Sequence, residues 1–98
     1  MVRVMIERHS QPGKEQQLRN LLIELRTEAL RQHGYISGET LRDSEDSSNF
    51  VVISTWMTLD TWKVWQTARQ RLVIEEMMEP VLSSPRKVRV FVEDYVDQ

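Results

Sequence analysis

Three tryptophans close together in the chain are the first candidates for chemistry. Trp56 ends a strand-like segment, and Trp62 and Trp65 follow it in a helix-like segment. Such side chains can form a wall on which a planar aromatic ligand stacks inside an apolar pocket. They can equally be core residues, since each would bury ~150–250 Å² in so small a domain. The sequence leaves both interpretations open.

Arg8 is the most informative charged residue. If the alternation of the first strand continues from Val4 and Ile6, the Arg8 side chain points to the same side as theirs, where a charge needs a partner. The guanidinium could reach water at the strand end while its stem is covered. It could instead face an acidic or phenolate-like ligand and stabilise the anion.

Other reactive residue types are scarce. The chain has no cysteine, which excludes disulfides, thiolate catalysis and cysteine-ligated metals. Its two histidines, His9 and His33, fall at a strand end and a helix end, and we interpret His9 as a surface residue. The run at residues 75–79 (EEMME) could suggest a metal cluster. However, glutamates on a helix more often form a solvated face than a metal site. Methionines at helical spacing more often fill the core. We therefore expect no metal site.

Composition places the chain among ordinary globular proteins. Its 98 residues fit a single domain over residues 1–98. The formal charge of −2 and the lack of a basic stripe give no reason to expect nucleic acid. No apolar run approaches the ~20 residues that span a bilayer, and no leader precedes the first strand. We expect a soluble cytoplasmic protein that contacts no membrane.

The first half of the chain shows clear strand and helix periodicity. Val2–His9 alternates as a strand does. Pro12 suits the first turn of a helix over residues 14–32, and Gly34 is placed to close that helix in the left-handed conformation. The predicted apolar stripe, widened by the last two residues, is Leu18, Leu21, Leu22, Leu25, Ala29, Ile23 and Leu30.

The second half begins with a predicted hairpin. Tyr35–Arg42 is a strand that Gly38 could interrupt with a bulge, and a polar turn at 43–49 leads to the best strand, 50–56. Thr58 is a plausible N-cap for the helix that carries Trp62 and Trp65. A further helix over 68–79 carries Leu72, Val73 and Met77, and a last strand covers 87–95.

This order, β-α-β-β-α-β, predicts an α+β fold of the ferredoxin-like type. Its sheet is antiparallel, with the first and third strands in the middle and the helices on one face. In the third strand, Phe50, Val52, Ser54 and Trp56 would meet the helices. The opposite face is also largely apolar, whereas a solvated face should be polar. Left exposed, it would be an unusual patch for a monomer.

A second copy packing sheet against sheet would cover this face, with two-fold symmetry as the default. We therefore predict a homodimer through the face that carries Arg3, Met5, Glu7, Val51, Ile53 and Phe91. The charges on this face, Arg3, Glu7, Arg89 and Glu93, can form Arg–Glu pairs across the first and last strands. Such pairs would fix the register of the two sheets. Acid–base work by one of the carboxylates would instead need an unpaired acid in an apolar pocket.

Three segments resemble one protein family. Residues 54–65 (STWMTLDTWKVW) resemble the strand-to-helix junction of the antibiotic biosynthesis monooxygenase (ABM) domain family. Residues 12–15 (PGKE) and 34–38 (GYISG) are similar to its first helix start and its helix-to-strand turn. The resemblance covers roughly residues 2–93. It implies a dimeric α+β barrel, in agreement with the dimer predicted from the sheet.

The resemblance also implies an activity and a pocket. Characterised members include cofactor-independent monooxygenases of quinols and polyphenolic anthrones, and a related branch degrades haem. The implied pocket lies between helices and sheet, with Trp56 at its floor and Arg8 and Ser54 nearby. Trp65 stands roughly where many quinol-type members carry a histidine. The haem-ligating histidine corresponds to a position near Glu75, so haem degradation is not expected.

Two functions of different class remain. The first is a monooxygenase without cofactor that acts on a small quinol- or polyphenol-like substrate, bound by Arg8, Ser54, Trp56, Trp62 and Trp65. No residue is singled out as catalytic, because a carboxylate or water would have to serve as the base. The second is a non-catalytic, small-molecule-binding or stress-associated dimer with the same fold, since fold does not fix function.

Overall fold

The computed structural model describes residues 1–94 and gives the predicted order of elements. These are β1 (Val2–His9), α1 (Glu15–Ala29), β2 (Tyr35–Arg42), β3 (Asn49–Trp56), α2 (Leu59–Gln66), α3 (Arg69–Met78), a 3₁₀ helix (Glu79–Val81) and β4 (Lys87–Val92). The last strand ends at Val92; its predicted end, Tyr95, lies outside the described residues. No helix within residues 1–94 is long and apolar enough to cross a membrane.

The four strands form one antiparallel sheet in the order β2-β3-β1-β4. The central strand β1 pairs with both β3 and β4, so that Val4 lies opposite Ser54 on one side and Val90 on the other. The prediction of a ferredoxin-like α+β fold is confirmed, with β1 and β3 in the middle. The predicted bulge exists, but the register shifts between Tyr35 and Ser37, before Gly38.

One face of the sheet packs against the helices. Alternation along β1 and β3 turns every second side chain towards them, as the sequence predicts. This alternation also brings Arg8 into the interior, where its side chain is buried. The apolar core consists of Val2, Val4, Ile6, Leu18, Leu22, Leu25, Ala29, Phe50, Trp56, Trp62, Trp65, Ile74, Met78 and Val81.

Helix α1 is shorter than predicted, since it begins at Glu15 and ends at Ala29. Pro12 therefore precedes the helix. Ile23 and Leu30 are exposed, so the expectation that they widen the buried stripe is wrong. Gly34 has a positive φ of 88°, and a Cβ there would lie 2.5 Å from the Thr61 side chain. Glycine is required by both the backbone and this close approach.

Helix α2 begins at the predicted cap. The Thr58 hydroxyl accepts a hydrogen bond from the backbone N–H of Thr61, whose own hydroxyl accepts one from the Thr58 N–H. This reciprocal capping box satisfies two backbone donors at the helix start. It also fixes the direction in which α2 leaves β3.

Helix α3 buries a face that the sequence analysis did not single out. Leu72, Val73 and Met77 are about half exposed. The buried residues are Arg71, Ile74, Glu75 and Met78. The expectation that the glutamate run is a solvated face is therefore wrong for Glu75, and of the two methionines expected as core filler only Met78 is buried. The buried carboxylate of Glu75 is compensated by ion pairs, which are described below.

The other face of the sheet carries the predicted mixture of apolar and charged residues. Its charge pairing differs from the prediction, because Lys87 lies opposite Glu7 and Met5 lies opposite Arg89. The Arg89 guanidinium instead lies 5.1 Å from the ring centre of Phe91. Glu93 is paired with the N-terminal ammonium at 2.5 Å. On β4 even the helix-side valines are exposed, since the helical layer does not reach this edge strand.

Candidate functional site

Trp56 is the centre of an aromatic cluster. As the last residue of β3, it is fully buried beneath the helices. Trp62 and Trp65, three positions apart on α2, share one helix face and lie with ring centres 6.0 Å and 6.3 Å from Trp56. The Trp56 and Trp65 rings are stacked at 25°. The three tryptophans that the sequence analysis assigned to the site therefore form one continuous aromatic surface.

Tyr35 adds a fourth aromatic ring that the sequence analysis did not assign to the site. Its ring meets Trp56 edge-on at 5.3 Å. The hydroxyl lies over Gly38, where a Cβ would be only 2.4 Å from it. Gly38 is thus the residue that admits the tyrosine. The two glycines on either side of Tyr35, Gly34 and Gly38, were the available signal.

Ser54 holds the Trp56 indole from within the same strand. Its hydroxyl oxygen accepts a hydrogen bond of 3.1 Å from Nε1 of Trp56, and both residues are buried. Because a buried indole N–H needs an acceptor, this bond fixes the ring orientation. Ser54 therefore positions the aromatic surface.

Arg8 is buried and paired within the protein. Its guanidinium donates from Nη2 to Oε1 of Glu75 at 2.9 Å, and the two side chains are 1% and 5% exposed. The expectation of a solvated guanidinium at the strand end is therefore wrong. Glu75 lies 67 residues away in sequence, and nothing in the local pattern of α3 points to this contact.

Two more arginines converge on the same carboxylate. Arg71 donates from Nη2 to Oε2 of Glu75 at 2.8 Å, and Arg86 places its Nε 2.9 Å from the same oxygen. We call Arg8, Arg71, Glu75 and Arg86 the arginine cluster. It joins β1, α3 and the loop before β4. Three cations surround one anion, so the cluster carries a formal excess of two positive charges.

Burial acts on the ionisation of these arginines. It lowers the pKa of Arg8, although the carboxylate of Glu75 raises it again in part. It lowers the pKa of Arg71 to about 10, with Glu75 again opposing the change. Arg71 is therefore charged at neutral pH. Arg71 is further stabilised by lying 5.3 Å from the Trp62 ring centre.

A cavity lies between α1, β2 and the aromatic cluster. Arg8, Arg71, Ser54 and the three tryptophans all line it, together with Tyr35, Gly38, Glu39, Thr40, Ile6, Leu22, Leu25, Arg26, Ala29 and Val52. All five sequence-predicted site residues thus surround one space. Arg26 and Glu39 are exposed residues of the lining, and they mark the side that faces solvent.

The cavity is small, with a volume of about 50 Å³. This is about a third of the ~150 Å³ of an apolar cavity that holds benzene. An aromatic ligand would therefore enter only if side chains of the lining moved apart.

Two buried donors on arginines that line the cavity have no acceptor among the described residues, and neither atom presents surface to the cavity. They are Nε of Arg8 and Nε of Arg71. Nε of Arg86 is also unpaired, since its approach to Glu75 lacks hydrogen-bonding alignment, but Arg86 does not line the cavity. Buried N–H groups of charged side chains are costly when unsatisfied.

Haem does not fit these residues. Both carboxylate oxygens of Glu75, near the position implied for an iron-ligating histidine, accept hydrogen bonds from guanidiniums. Neither histidine lines the cavity. His9 lies at the end of β1, with its Nε2 3.9 Å from Glu7.

The fold and site together define a small α+β protein with an aromatic, cation-bearing cavity beneath its helices. The family profile described as antibiotic biosynthesis monooxygenase matches residues 1–76. The chain belongs to this family. No curated protein matches it significantly.

Solved structures share the fold at low sequence identity. A Nitrosomonas europaea protein named after the same family superposes with a TM-score of 0.87 at 15% identity, covering 97% of this chain and 100% of its own. Rv0793 from Mycobacterium tuberculosis has a TM-score of 0.86 at 18% identity, with coverages of 99% and 96%. SnoaB, a cofactor-independent oxygenase from Streptomyces nogalater solved as a point mutant, has a TM-score of 0.82 at 14% identity, with coverages of 97% and 95%.

Proposed function

We propose that the protein is a monooxygenase without cofactor that acts on a small quinol- or polyphenol-like substrate in the cavity. The observation that carries the proposal is the junction of an aromatic wall with a cationic floor. Trp56, Trp62 and Trp65 would stack on the substrate ring, and Ser54 would hold Trp56 in place. Arg8 would face the oxygen of the ionised substrate. The similarity of fold to a cofactor-independent oxygenase supports the proposal.

The chemistry balances without an external reductant. One C–H bond of the quinol becomes C–OH and the two O–H groups become carbonyls, which gives a hydroxyquinone. One atom of O₂ becomes the oxygen of the new hydroxyl group, and the other leaves as water. The substrate loses four electrons and O₂ accepts four. Ionised substrate is the electron donor, so the positive charge of the arginine cluster favours the reaction by stabilising the anion.

The proton needs an acceptor, and Glu39 is the best placed. It carries the one carboxylate in the described lining of the cavity. As an exposed residue of β2, it can pass the proton to solvent. A carboxylate at the mouth would thus serve where other family members use a histidine.

Oxygen consumption tests this function. Purified protein would be given single-ring quinols and anthrones in an oxygen electrode, with products identified by mass. We expect turnover that falls at least tenfold in Glu39→Gln and is unchanged in Glu24→Gln, an exposed glutamate of α1. Absence of oxygen uptake with every substrate would contradict the enzymatic function.

A second candidate is a non-catalytic binder of small aromatic molecules. It is favoured by the absence of any histidine from the described cavity lining. Single-ring ligands would quench the tryptophan fluorescence of such a protein, and no oxygen would be consumed. The same panel of compounds therefore separates the two functions.

We further propose that the protein is a homodimer through the open face of the sheet. Met5, Val51 and Ile53 are half-buried and Phe91 is 42% exposed on this face. Arg3 and Glu7 lie among them. Burial of this mixed surface against its own copy would cover the apolar residues and let the charges pair across a two-fold axis.

A further inference from the structure

We propose that the Tyr35 ring is a movable lid on the cavity and that it swings away from Trp56 when a ligand enters. This inference rests on the cavity being the ligand site of the proposed function, and it names the side chain that opens that site. The cavity of about 50 Å³ is too small for an aromatic ring. At least one side chain of the lining must therefore be displaced.

The first argument is that most of the lining is fixed. The Trp56 indole is bonded to Ser54, and Arg8 and Arg71 are both bonded to the carboxylate of Glu75. Six further lining residues belong to the buried apolar core, namely Ile6, Leu22, Leu25, Ala29, Trp62 and Trp65. Displacement of any of these side chains would leave a void or an unpaired buried group, and both are costly.

The second argument is that Tyr35 is held more weakly than the other aromatic residues of the lining. It is half-buried, whereas the three tryptophans are between 0% and 4% exposed. Within residues 1–94 its hydroxyl has no hydrogen-bond partner, and it is not one of the buried polar atoms, so water can reach it. Its ring meets Trp56 only edge-on, at 5.3 Å. The Tyr35 ring can therefore leave the cavity without breaking a bond inside the protein.

The third argument is the position of Tyr35 in the sheet. It is the first residue of β2, an edge strand that pairs with β3 alone. The register with β3 shifts between Tyr35 and Ser37, so the regular ladder is interrupted beside the ring. Gly38 leaves free the space that the hydroxyl occupies, since a Cβ there would lie 2.4 Å from it. This glycine permits the closed position, and no further strand of the sheet stands beside β2.

A lid of this kind suits the proposed chemistry. Closure of an active site excludes water from the reacting groups, and lids commonly complete the site only after the substrate has entered. The half-exposed ring of Tyr35 lies between the solvent and the buried indole of Trp56. Opening of the lid gives the ligand access to the aromatic surface, and closure separates that surface from water.

Hydrogen exchange in the wild-type protein tests whether the lid opens. The chain has three tryptophans, all in the cavity lining, so the indole N–H signals of ¹⁵N-labelled protein report on this site alone. Variants with phenylalanine at each position assign the three signals. We expect the protection of the Trp56 indole N–H to be about tenfold or more below that of the slowest β1 amides, which exchange only on global unfolding. Equal protection would mean that the cavity opens only when the protein unfolds, and would overturn the proposal.

Variants at Tyr35 identify the side chain that moves. Tyr35→Ala removes the ring, and Tyr35→Thr does so with a residue that favours strands, in case alanine weakens β2. In both we expect the protection of the Trp56 indole, relative to the β1 amides, to fall about fivefold or more. Tyr35→Phe keeps the ring and should behave as the wild type. Ile36→Ala, at the exposed neighbouring position, is the matched control and should also leave the protection unchanged.

Arg26→Ala tests the alternative opening on the side of α1, because Arg26 is an exposed residue of the lining. A loss of indole protection in this variant, with no change in the two variants that lack the Tyr35 ring, would overturn the assignment of the lid to Tyr35. Unchanged protection in all three variants would overturn it as well.

The outcomes separate this inference from the proposed function. Oxygen uptake with quinols, in a protein whose Trp56 indole exchanges only on global unfolding, would contradict the lid and leave the oxygenase standing. Local exchange that depends on Tyr35, without oxygen uptake, would support the lid and contradict catalysis.

Discussion

The Nη2 atom of Arg8 lies 2.9 Å from Oε1 of Glu75, in a contact between two side chains that are both almost fully buried. This bond ties the end of β1 to the middle of α3. Because Arg71 and Arg86 share the same carboxylate, one acidic side chain holds three parts of the fold together. The floor of the cavity depends on it.

Loss of the Glu75 charge should therefore be the most damaging conservative change in the chain. Glu75→Gln leaves three guanidiniums around a neutral amide, and breaking a buried pair in this way costs about 3–5 kcal/mol. We expect the urea midpoint to fall accordingly. Glu76→Gln, at the exposed neighbouring position, should change stability by less than about 0.5 kcal/mol. Equal stability of the two variants would show that the arginine cluster is solvated.

A methyl group at Gly38 should disturb the cavity through Tyr35. The Cβ of Gly38→Ala would lie 2.4 Å from the tyrosine hydroxyl oxygen, so the ring must move away from Trp56. We expect weaker ligand binding and altered tryptophan fluorescence. In the double variant Gly38→Ala/Tyr35→Phe the closest remaining ring atom is 3.4 Å away, and fluorescence should recover. Lack of recovery would place the effect in the backbone of β2.

Removal of the Ser54 hydroxyl should release the Trp56 indole. Ser54→Ala leaves Nε1 of Trp56 buried without its 3.1 Å acceptor, at a cost of about 1–3 kcal/mol. Thermal unfolding would measure the loss. Thr55→Ala, the next residue on the opposite side of β3, is the control and should cost less. A Ser54 variant as stable as the wild type would indicate that Trp56 finds another acceptor.

A charge on the open sheet face should prevent the proposed dimer. Ile53→Glu would bury a carboxylate without a partner at the interface, so we expect a monomer of the mass of one chain, 11.6 kDa, by light scattering at micromolar concentration. Val64→Glu places the same charge on an exposed position of α2 and should leave the dimer intact. A wild-type monomer under these conditions would contradict the interface altogether.

Local pattern was sufficient for most of the fold. The alternation of Val2, Val4 and Ile6 predicts both the strand and its buried side, because a period of two is a direct property of extended backbone. The same period correctly carries Arg8 inward. Thr58 was predictable as a cap because capping requires only neighbouring residues.

The interior partners were not predictable from local pattern. On α3, Leu72, Val73 and Met77 offer one apolar face, while Ile74 and Met78 offer another. The choice between them depends on Glu75, whose partner Arg8 is 67 residues away. Hydrophobicity alone therefore does not decide between the two faces. For the same reason, the local sequence pattern does not reveal the cationic floor of the cavity.

The shared carboxylate also has an evolutionary consequence. A single substitution at Glu75 would strand three cations, whereas loss of one arginine leaves the acid paired twice. The first of the four positions to change should therefore be an arginine rather than the glutamate. Relatives that lack the acid should also have lost arginines, since a buried charge of either sign is costly without a partner, and the pattern of paired substitutions would record the history of this cavity.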